Sequence, residues 1–265
     1  MPIEFQHKPG LVVYVTAGDP SLDATLAIAL AAIDAGADVI ELGVPFSDPL
    51  ADGPVIQRAS ERALSRGTKL SDVLGIAREI RAARPAAGVI IFTYLNPILR
   101  YGLARFADDA KVAGADGVLV TDMIVEEAGA YLAELVRTGL APVFLAAPTS
   151  PDERLAAIAA HSKGFVYAIS RTGITGKQTS MTSDAAGLVT RIRASFARGA
   201  TKLPVAVGFG ISNADHVAQV AEFADAAVIG SAIVELIERS TPDTAAAEVS
   251  RFIKGLRLRE AATAR

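Results

Sequence analysis

The chain has 265 residues and a net charge of −3, and 51% of it is hydrophobic, which is typical of a globular protein with one large core or two smaller ones. The absence of Cys excludes disulfides, thiolate nucleophiles and Cys-ligated metals and fits a cytoplasmic protein, and the lack of a basic stripe argues against nucleic-acid binding. No apolar run is long enough to span a membrane, and the first ten residues lack the apolar region of a signal peptide.

Short apolar runs alternate with Ala-rich helical patterns along the whole chain. The runs are almost uniformly apolar, which is typical of parallel strands that are buried on both faces. The predicted strands are Leu11–Thr16, Ala37–Leu42, Gly88–Tyr94, Asp116–Thr121, Ala141–Ala146, Gly164–Ile169, Pro204–Val207 and Asp225–Ile229. The predicted helices are Ser21–Ala35, Leu70–Ala83, Leu103–Val112, Val125–Arg137, Pro151–Ala160, Asp184–Arg198, Asn213–Glu222, Ala232–Arg239 and Thr244–Leu256.

Eight strands that are each followed by a helix predict an α/β protein, a single-domain (β/α)8 TIM barrel over residues 1–265. A doubly wound open sheet is the alternative, but no Gly-x-Gly-x-x-Gly follows the first strand. A weak repeat, seen in Ala35–Asp38, Ala113–Asp116 and Phe223–Asp225, places an Asp before or at the start of a strand. We expect these turns at the barrel face opposite the active site, where their role is stability.

Two carboxylates mark the region after the second strand. Glu41 lies at or near the carboxyl end of that strand, so an inward-facing side chain would sit at the barrel mouth. Partial desolvation there favours the neutral acid, and a raised pKa suits a group that gives and takes a proton. Asp52 follows in a loop that Gly53-Pro54 ends before a helix. Alternatively, Glu41 is a structural acid and the loop acids form turns and caps.

Glycine-rich segments follow the sixth, seventh and eighth predicted strands. They are Ser170–Lys177, Gly208–Ser212 and Gly230-Ser231, and the last two open helices. Loops at these places, with a helix N-terminus, form a recurrent phosphate site in barrels, because backbone N–H groups approach the anion closely. Each glycine pair alone is better explained by a tight turn, and it is their occurrence at consecutive strand ends that favours a phosphate site.

The segment Glu41–Pro54 resembles the signature of the tryptophan synthase alpha chain family. Five further motifs support the resemblance in family order across nearly the whole chain. They are Thr16–Pro20, Tyr94–Pro97, Tyr167–Gly176, Gly208–Ile211 and Ile229–Ile233. The resemblance implies a barrel that cleaves indole-3-glycerol phosphate to indole and glyceraldehyde 3-phosphate in a retro-aldol reaction, without a metal or an organic cofactor.

The resemblance also implies roles for individual residues. Glu41 would be the general acid and base, Asp52 would accept a hydrogen bond from the indole N–H, and Tyr167 would orient Glu41. The implied substrate-binding residues are Tyr14, Phe92, Thr175, Gly176, Phe209, Gly210, Gly230 and Ser231. For the aromatic wall residues, core packing is an equally good explanation from the sequence alone.

A partner is implied by the resemblance as well. Family members work with a beta chain, a pyridoxal-phosphate enzyme that condenses indole with serine, in a complex of two alpha and two beta chains. The loops around Asp48-Pro49 and Thr175 resemble the elements of this family that contact the beta chain and close over the site. The alternative is a stand-alone lyase that releases indole without a partner. The family usually has a longer N-terminal helix that closes the barrel bottom, so we expect that plug to be shortened or absent here.

Two other classes of function compete with the lyase. A barrel that isomerises or epimerises a sugar phosphate would share the glycine cradle, but it gives no reason for pairing Glu41 with Asp52. A non-catalytic barrel that only docks on a partner could keep the fold and lose the acids, and both acids are present.

Overall fold

A computed structural model describes residues 3–169, 178–197, 202–208 and 210–257. Nine strands form one sheet in which all pairings are parallel and the order is β5-β4-β3-β2-β1-β9-β8-β7-β6. The strands are β1 Gly10–Thr16, β2 Val39–Gly43, β3 Gly88–Thr93, β4 Gly117–Val120, β5 Ala141–Val143, β6 Leu145–Ala146, β7 Val166–Ile169, β8 Val205–Gly208 and β9 Ala226–Ile229.

The two strands at the ends of this order, β5 and β6, are separated in the chain by Phe144 alone. The sheet therefore curves round into a nearly closed barrel. The predicted fifth strand is split at Phe144, so that β5 pairs with β4 and β6 pairs with β7. The carbonyl of Pro142 accepts a hydrogen bond from the backbone N–H of Lys163, which precedes β7. Proline has no N–H to donate, so β5 lacks one of the hydrogen bonds that would join it to β7. The barrel prediction is therefore confirmed, with nine strand segments at eight barrel positions.

Helices surround the barrel. They are α1 Leu22–Asp34, α2 Pro54–Ser65, α3 Leu70–Ala83, α4 Leu95–Tyr101, α5 Leu103–Val112, α6 Gly129–Thr138, α7 Asp152–His161, α8 Gln178–Ser195, α9 Ala214–Ala221, α10 Ser231–Arg239 and α11 Pro242–Arg257. Helix α4 was not predicted, and its Pro97 is tolerated because first-turn N–H groups have no partner within a helix. None of the helices in the described ranges is long and apolar enough to cross a membrane.

The predicted helix Val125–Arg137 is two elements in the structure. A short 3-10 helix covers Val125–Glu127, and α6 begins only at Gly129. The residue between them, Ala128, has φ −80° and ψ 7°, which is outside the α-helical region, so the chain turns there before α6 starts.

The bottom of the barrel is closed by the irregular N-terminal segment, residues 3–9. Ile3 is buried among the inward-facing side chains of the strands, and the ring of Phe5 packs 6.0 Å from that of Phe165. The layer that they cover includes Val12, Val39, Ile90, Leu119, Ala206 and Ala226. Two apolar side chains thus cover the space that a shortened or absent plug was expected to leave open.

The repeated turn also lies at this bottom face. Asp38, Asp116 and Asp225 each accept a hydrogen bond from the backbone of a neighbouring strand and pair with an arginine. The backbone donors are Leu11, Val89 and Val205, at 2.8, 2.9 and 2.8 Å, and the arginines are Arg257, Arg81 and Arg193. Each turn therefore ties two strands at the face opposite Glu41, as a role in stability requires.

Candidate active site

A cavity of about 350 Å³ opens at the carboxyl ends of the strands. Eight of the predicted site residues line it, and they come from strands or from the loops that follow them: Tyr14, Glu41, Asp52, Phe92, Tyr167, Gly210, Gly230 and Ser231. Thr175, Gly176 and Phe209 lie outside the described residues. The structure thus brings every predicted site residue that it describes to one place.

Glu41 occupies the centre of β2 and is fully buried. Its neighbours in the barrel wall are Tyr14 on β1 and Ile90 on β3, and neither of its carboxyl oxygens has a hydrogen-bond partner in the described part of the chain. Burial raises its pKa from 4.5 to about 8. At neutral pH the side chain is therefore a neutral acid that faces a cavity and can lose its proton close to physiological pH.

Aromatic side chains form the walls beside Glu41. The ring of Tyr14 meets the ring of Phe92 edge to face at 5.0 Å. Gly43 makes this possible, because a Cβ at that position would lie 2.2 Å from the Tyr14 hydroxyl. Gly208 does the same for Tyr167, whose hydroxyl would lie 2.5 Å from a Cβ. The two glycines let bulky rings stand in the mouth of a narrow barrel.

Tyr167 lines the same cavity as Glu41. No hydrogen bond joins the two side chains in the structure as described, since the Glu41 oxygens are unpartnered. The orienting role that the family resemblance implies for Tyr167 therefore stays a prediction.

Asp52 is held by a residue that sequence reasoning did not place in the site. The Tyr94 hydroxyl donates a 2.9 Å hydrogen bond to the Asp52 carboxylate and accepts a 3.0 Å bond from the backbone N–H of Ala51. Burial raises the Asp52 pKa from 3.8 to about 6, and the bond from Tyr94 opposes that rise. At pH 7 Asp52 is therefore mostly ionised while Glu41 is mostly protonated.

Replacing Tyr94 with Phe removes the hydrogen bond to Asp52 and keeps the ring. Because that bond favours the ionised carboxylate, we expect the Asp52 pKa to rise above about 6 and the acid limb of the kcat/KM profile for the site's reaction to move to higher pH. We expect activity at pH 6 to fall by about tenfold and activity at pH 8 to fall much less. An acid limb that stays in place in the Phe variant would contradict this role for Tyr94.

The other end of the cavity contains a helix start. Gly230 precedes α10, and Ser231 is its first residue, so the first N–H groups of this helix point toward the cavity mouth. Gly210, in the loop after β8, has φ +51°, a left-handed conformation that glycine adopts without strain. Backbone N–H groups and the positive end of the helix dipole make this end suitable for an anion such as phosphate.

Comparison with known proteins agrees with this geometry. A family model described as "Tryptophan synthase alpha chain" matches residues 3–263. The chain belongs to the tryptophan synthase alpha chain family. A family member from Solibacter usitatus is 52% identical over 244 residues, which are 92% of this chain and 89% of that protein. Membership makes the chain an enzyme of tryptophan biosynthesis with the function of an alpha subunit.

Solved tryptophan synthase structures have the same fold. The tryptophan synthase alpha subunit of Legionella pneumophila superimposes with a TM-score of 0.84 at 37% identity, covering 94% of this chain and 91% of that one. A chain from the tryptophan synthase α2β2 complex of Pyrococcus furiosus gives a TM-score of 0.84 at 38% identity, with coverages of 94% and 98%. The tryptophan synthase alpha barrel is therefore the fold of this chain.

Proposed function

We propose that this chain cleaves indole-3-glycerol phosphate to indole and glyceraldehyde 3-phosphate, as a carbon–carbon lyase in the cytoplasm. The observation that carries the proposal is that one cavity holds two carboxyl groups in different surroundings, a fully buried Glu41 and an Asp52 that accepts a hydrogen bond from Tyr94. Glu41 is a buried acid with no hydrogen-bond partner among the described residues and a pKa of about 8, and Asp52 is a carboxylate with a pKa of about 6. Retro-aldol cleavage of an indole needs a proton donor and a separate anion.

The first step is protonation of the indole ring. Carbon C3 is the leaving atom, so Glu41 gives its proton to C3 and the ring becomes a cation with its positive charge delocalised onto N1. Asp52 accepts a hydrogen bond from N1–H and stabilises that charge in a partly desolvated site. Neutral Glu41 and ionised Asp52 at pH 7 are the two forms that this step requires.

The second step breaks the carbon–carbon bond. The glycerol hydroxyl next to the ring loses its proton to the Glu41 carboxylate, and its oxygen forms the aldehyde carbonyl. The electron pair of the broken bond returns to the ring and neutralises the cation. Glu41 thus ends the cycle protonated, and one residue gives and then takes one proton.

The rest of the cavity fits this substrate. The Tyr14 and Phe92 rings offer an apolar wall for the flat indole ring. Gly210, Gly230 and Ser231 offer backbone N–H groups and a hydroxyl for the phosphate, and we propose Thr175, Gly176 and Phe209 as further contacts on the strength of the family resemblance. The isomerase alternative accounts for the phosphate end of this cavity but gives no reason for pairing Glu41 with Asp52.

The test is an assay of the purified chain with indole-3-glycerol phosphate. We expect indole and glyceraldehyde 3-phosphate to appear in equal amounts, with or without a beta chain. Sugar-phosphate isomerisation without indole release would favour the isomerase. Binding of a beta chain with no turnover in either preparation would favour the docking barrel.

We also propose that two copies of the chain bind two copies of a pyridoxal-phosphate beta chain. Among the described residues, the exposed large apolar side chains on the catalytic face include Leu50, Leu99 and Ile124, and Leu50 is 92% exposed. They lie in the segments after the neighbouring strands β2, β3 and β4, on one side of the barrel's carboxyl face. The mass of the complex that this chain forms with a beta chain in solution tests this stoichiometry. If this chain stays monomeric at every ratio of the two proteins, the proposal is contradicted.

A further inference from the structure

Four charged side chains connect the two helices that begin at the cavity. Arg62 of α2 forms a two-pronged bond to Asp19, with Nε–Oδ1 at 2.8 Å and Nη2–Oδ2 at 2.7 Å, and its Nη1 reaches Glu238 of α10 at 2.6 Å. Arg58, one turn earlier on α2, forms a second two-pronged bond to Glu238 at 2.8 and 2.7 Å. We call Asp19, Arg58, Arg62 and Glu238 the helix clamp.

The helix clamp is partly removed from water. The Asp19 side chain is 3% exposed, and those of Arg62 and Glu238 are 29% and 26% exposed. Planar guanidinium groups that share carboxylates by two parallel bonds have a fixed geometry, unlike a flexible surface pair. The clamp therefore fixes α2 against α10 and against the loop after β1.

The two clamped helices begin beside two different functional parts of the cavity. Helix α2 starts at Pro54, two residues after Asp52, and α10 starts at Ser231, in the predicted phosphate site. At the cavity the helices approach each other again, since a Cβ on Gly230 would lie 3.9 Å from Ile56 Cδ1. One contact at the cavity and the clamp further along thus hold the helix pair at two points.

We propose that Arg62 is a positioning residue that sets the separation between the Asp52 end and the phosphate end of the cavity. The inference rests on the proposed function in one respect, that the ligand has an indole at one end and a phosphate at the other. Such a ligand gains from binding both ends at once only if their spacing matches its length. Within the clamp, Arg62 is the residue that joins the β1 loop to α10.

The proposal predicts that a change in the clamp affects ligands that bind both ends of the cavity differently from ligands that bind one end. A ligand with only an indole ring or only a phosphate does not sense that distance. A loosened clamp should weaken a two-ended ligand selectively, whereas general destabilisation of the barrel would weaken all ligands together.

The experiment compares three probes by calorimetry. The two-ended probe is 3-(indol-3-yl)propyl phosphate, which lacks the hydroxyl needed for cleavage, and the one-ended probes are indole and glycerol 3-phosphate. In Arg62→Lys the positive charge remains, but the two parallel hydrogen bonds of the guanidinium group to Asp19 are lost. We expect about tenfold weaker binding of the two-ended probe and changes within about twofold for the others.

The matched control is Arg84→Lys, because Arg84 makes a two-pronged bond to Asp34 at 2.7 and 2.7 Å on the surface away from the cavity. We expect all three probes to bind this variant as they bind the original chain. Glu238→Gln is a second test, which leaves the Asp19–Arg62 bond intact and should show the same selective loss if Arg62→Lys does not fold.

Two results would overturn the positioning role. One is unchanged binding of the two-ended probe in the folded Arg62→Lys or Glu238→Gln variant, and the other is an equal loss for all three probes. Failure of the proposed function is distinguishable, because it appears as no indole release from indole-3-glycerol phosphate by the original chain. Selective loss of the two-ended probe is measured without turnover and stands independently of that result.

Discussion

Replacing Glu41 with Gln is expected to lower kcat for indole release by about 10³-fold or more, because the carboxamide has the shape of the protonated acid and cannot transfer its proton. The site itself accepts the change. Glu41 is fully buried, has no hydrogen-bond partner in the described structure and is neutral at pH 7, so a neutral side chain of equal size fits there. The measurement is steady-state release of indole at pH 7, together with binding of the uncleavable indolylpropyl phosphate.

The same variant also tests the raised pKa. A folded-state pKa of about 8 against an unfolded value of 4.5 means that the folded chain holds the proton more tightly. The stabilisation that results is fully present below pH 4.5 and is lost as the pH rises through about 8. We expect urea unfolding to show Glu41→Gln gaining stability over the original chain between about pH 5 and pH 8. Near-normal turnover, or an equal pH dependence of unfolding in both proteins, would contradict the role of Glu41.

Replacing Asp52 with Asn is expected to lower kcat by about 10²-fold, because the amide cannot supply the negative charge that stabilises the cationic ring. The Tyr94 hydroxyl can still donate to the amide oxygen, so the loop keeps its position. The effect should therefore fall on kcat more than on KM for indole-3-glycerol phosphate. Steady-state kinetics at pH 8, where Asp52 of the original chain is ionised, gives the cleanest comparison.

A control for Asp52 lies in the same loop. Asp48 is exposed, and its carboxylate accepts a hydrogen bond from the neighbouring Ser47 hydroxyl. Asp48→Asn removes an equal charge at a similar place in the chain, and we expect kcat for the isolated chain to change by less than about twofold. Equal losses in both variants would mean that the loop's general charge matters, and unchanged kinetics in Asp52→Asn would show that an anion at the ring nitrogen is unnecessary.

Much of the fold follows from local sequence patterns. Parallel strands buried on both faces produce uniform apolar runs, and the helices α3 and α5 were predicted with their observed bounds. The split at Phe144 was not predictable. It depends on whether the backbone of Pro142, which has no N–H, faces the neighbouring strand β4 or the β7 side, and the sequence does not give that orientation. Closure of the barrel bottom by Ile3 and Phe5 is likewise a tertiary contact with no periodic signal.

The candidate site likewise contains residues that the sequence predicts and residues that it does not. That Glu41 lines the cavity follows from strand order, since the carboxyl ends of parallel strands meet at one face, but Glu41 lies at the centre of β2 rather than at its carboxyl end. Tyr94 was visible only as part of a family motif, and its bond to Asp52 joins residues 42 positions apart. The helix clamp spans 180 positions between Arg58 and Glu238, and charged residues on amphipathic helices are usually solvated, so no local pattern distinguishes them.

The most direct test of the proposed chemistry is a crystal structure of Glu41→Gln with indole-3-glycerol phosphate bound. We expect the amide introduced at this position within about 3.5 Å of indole C3, the Asp52 carboxylate in hydrogen-bond contact with N1–H, and the phosphate at the start of α10. An indole ring that lies away from both side chains, with the phosphate in place, would contradict the proposed division of labour between the two carboxylates.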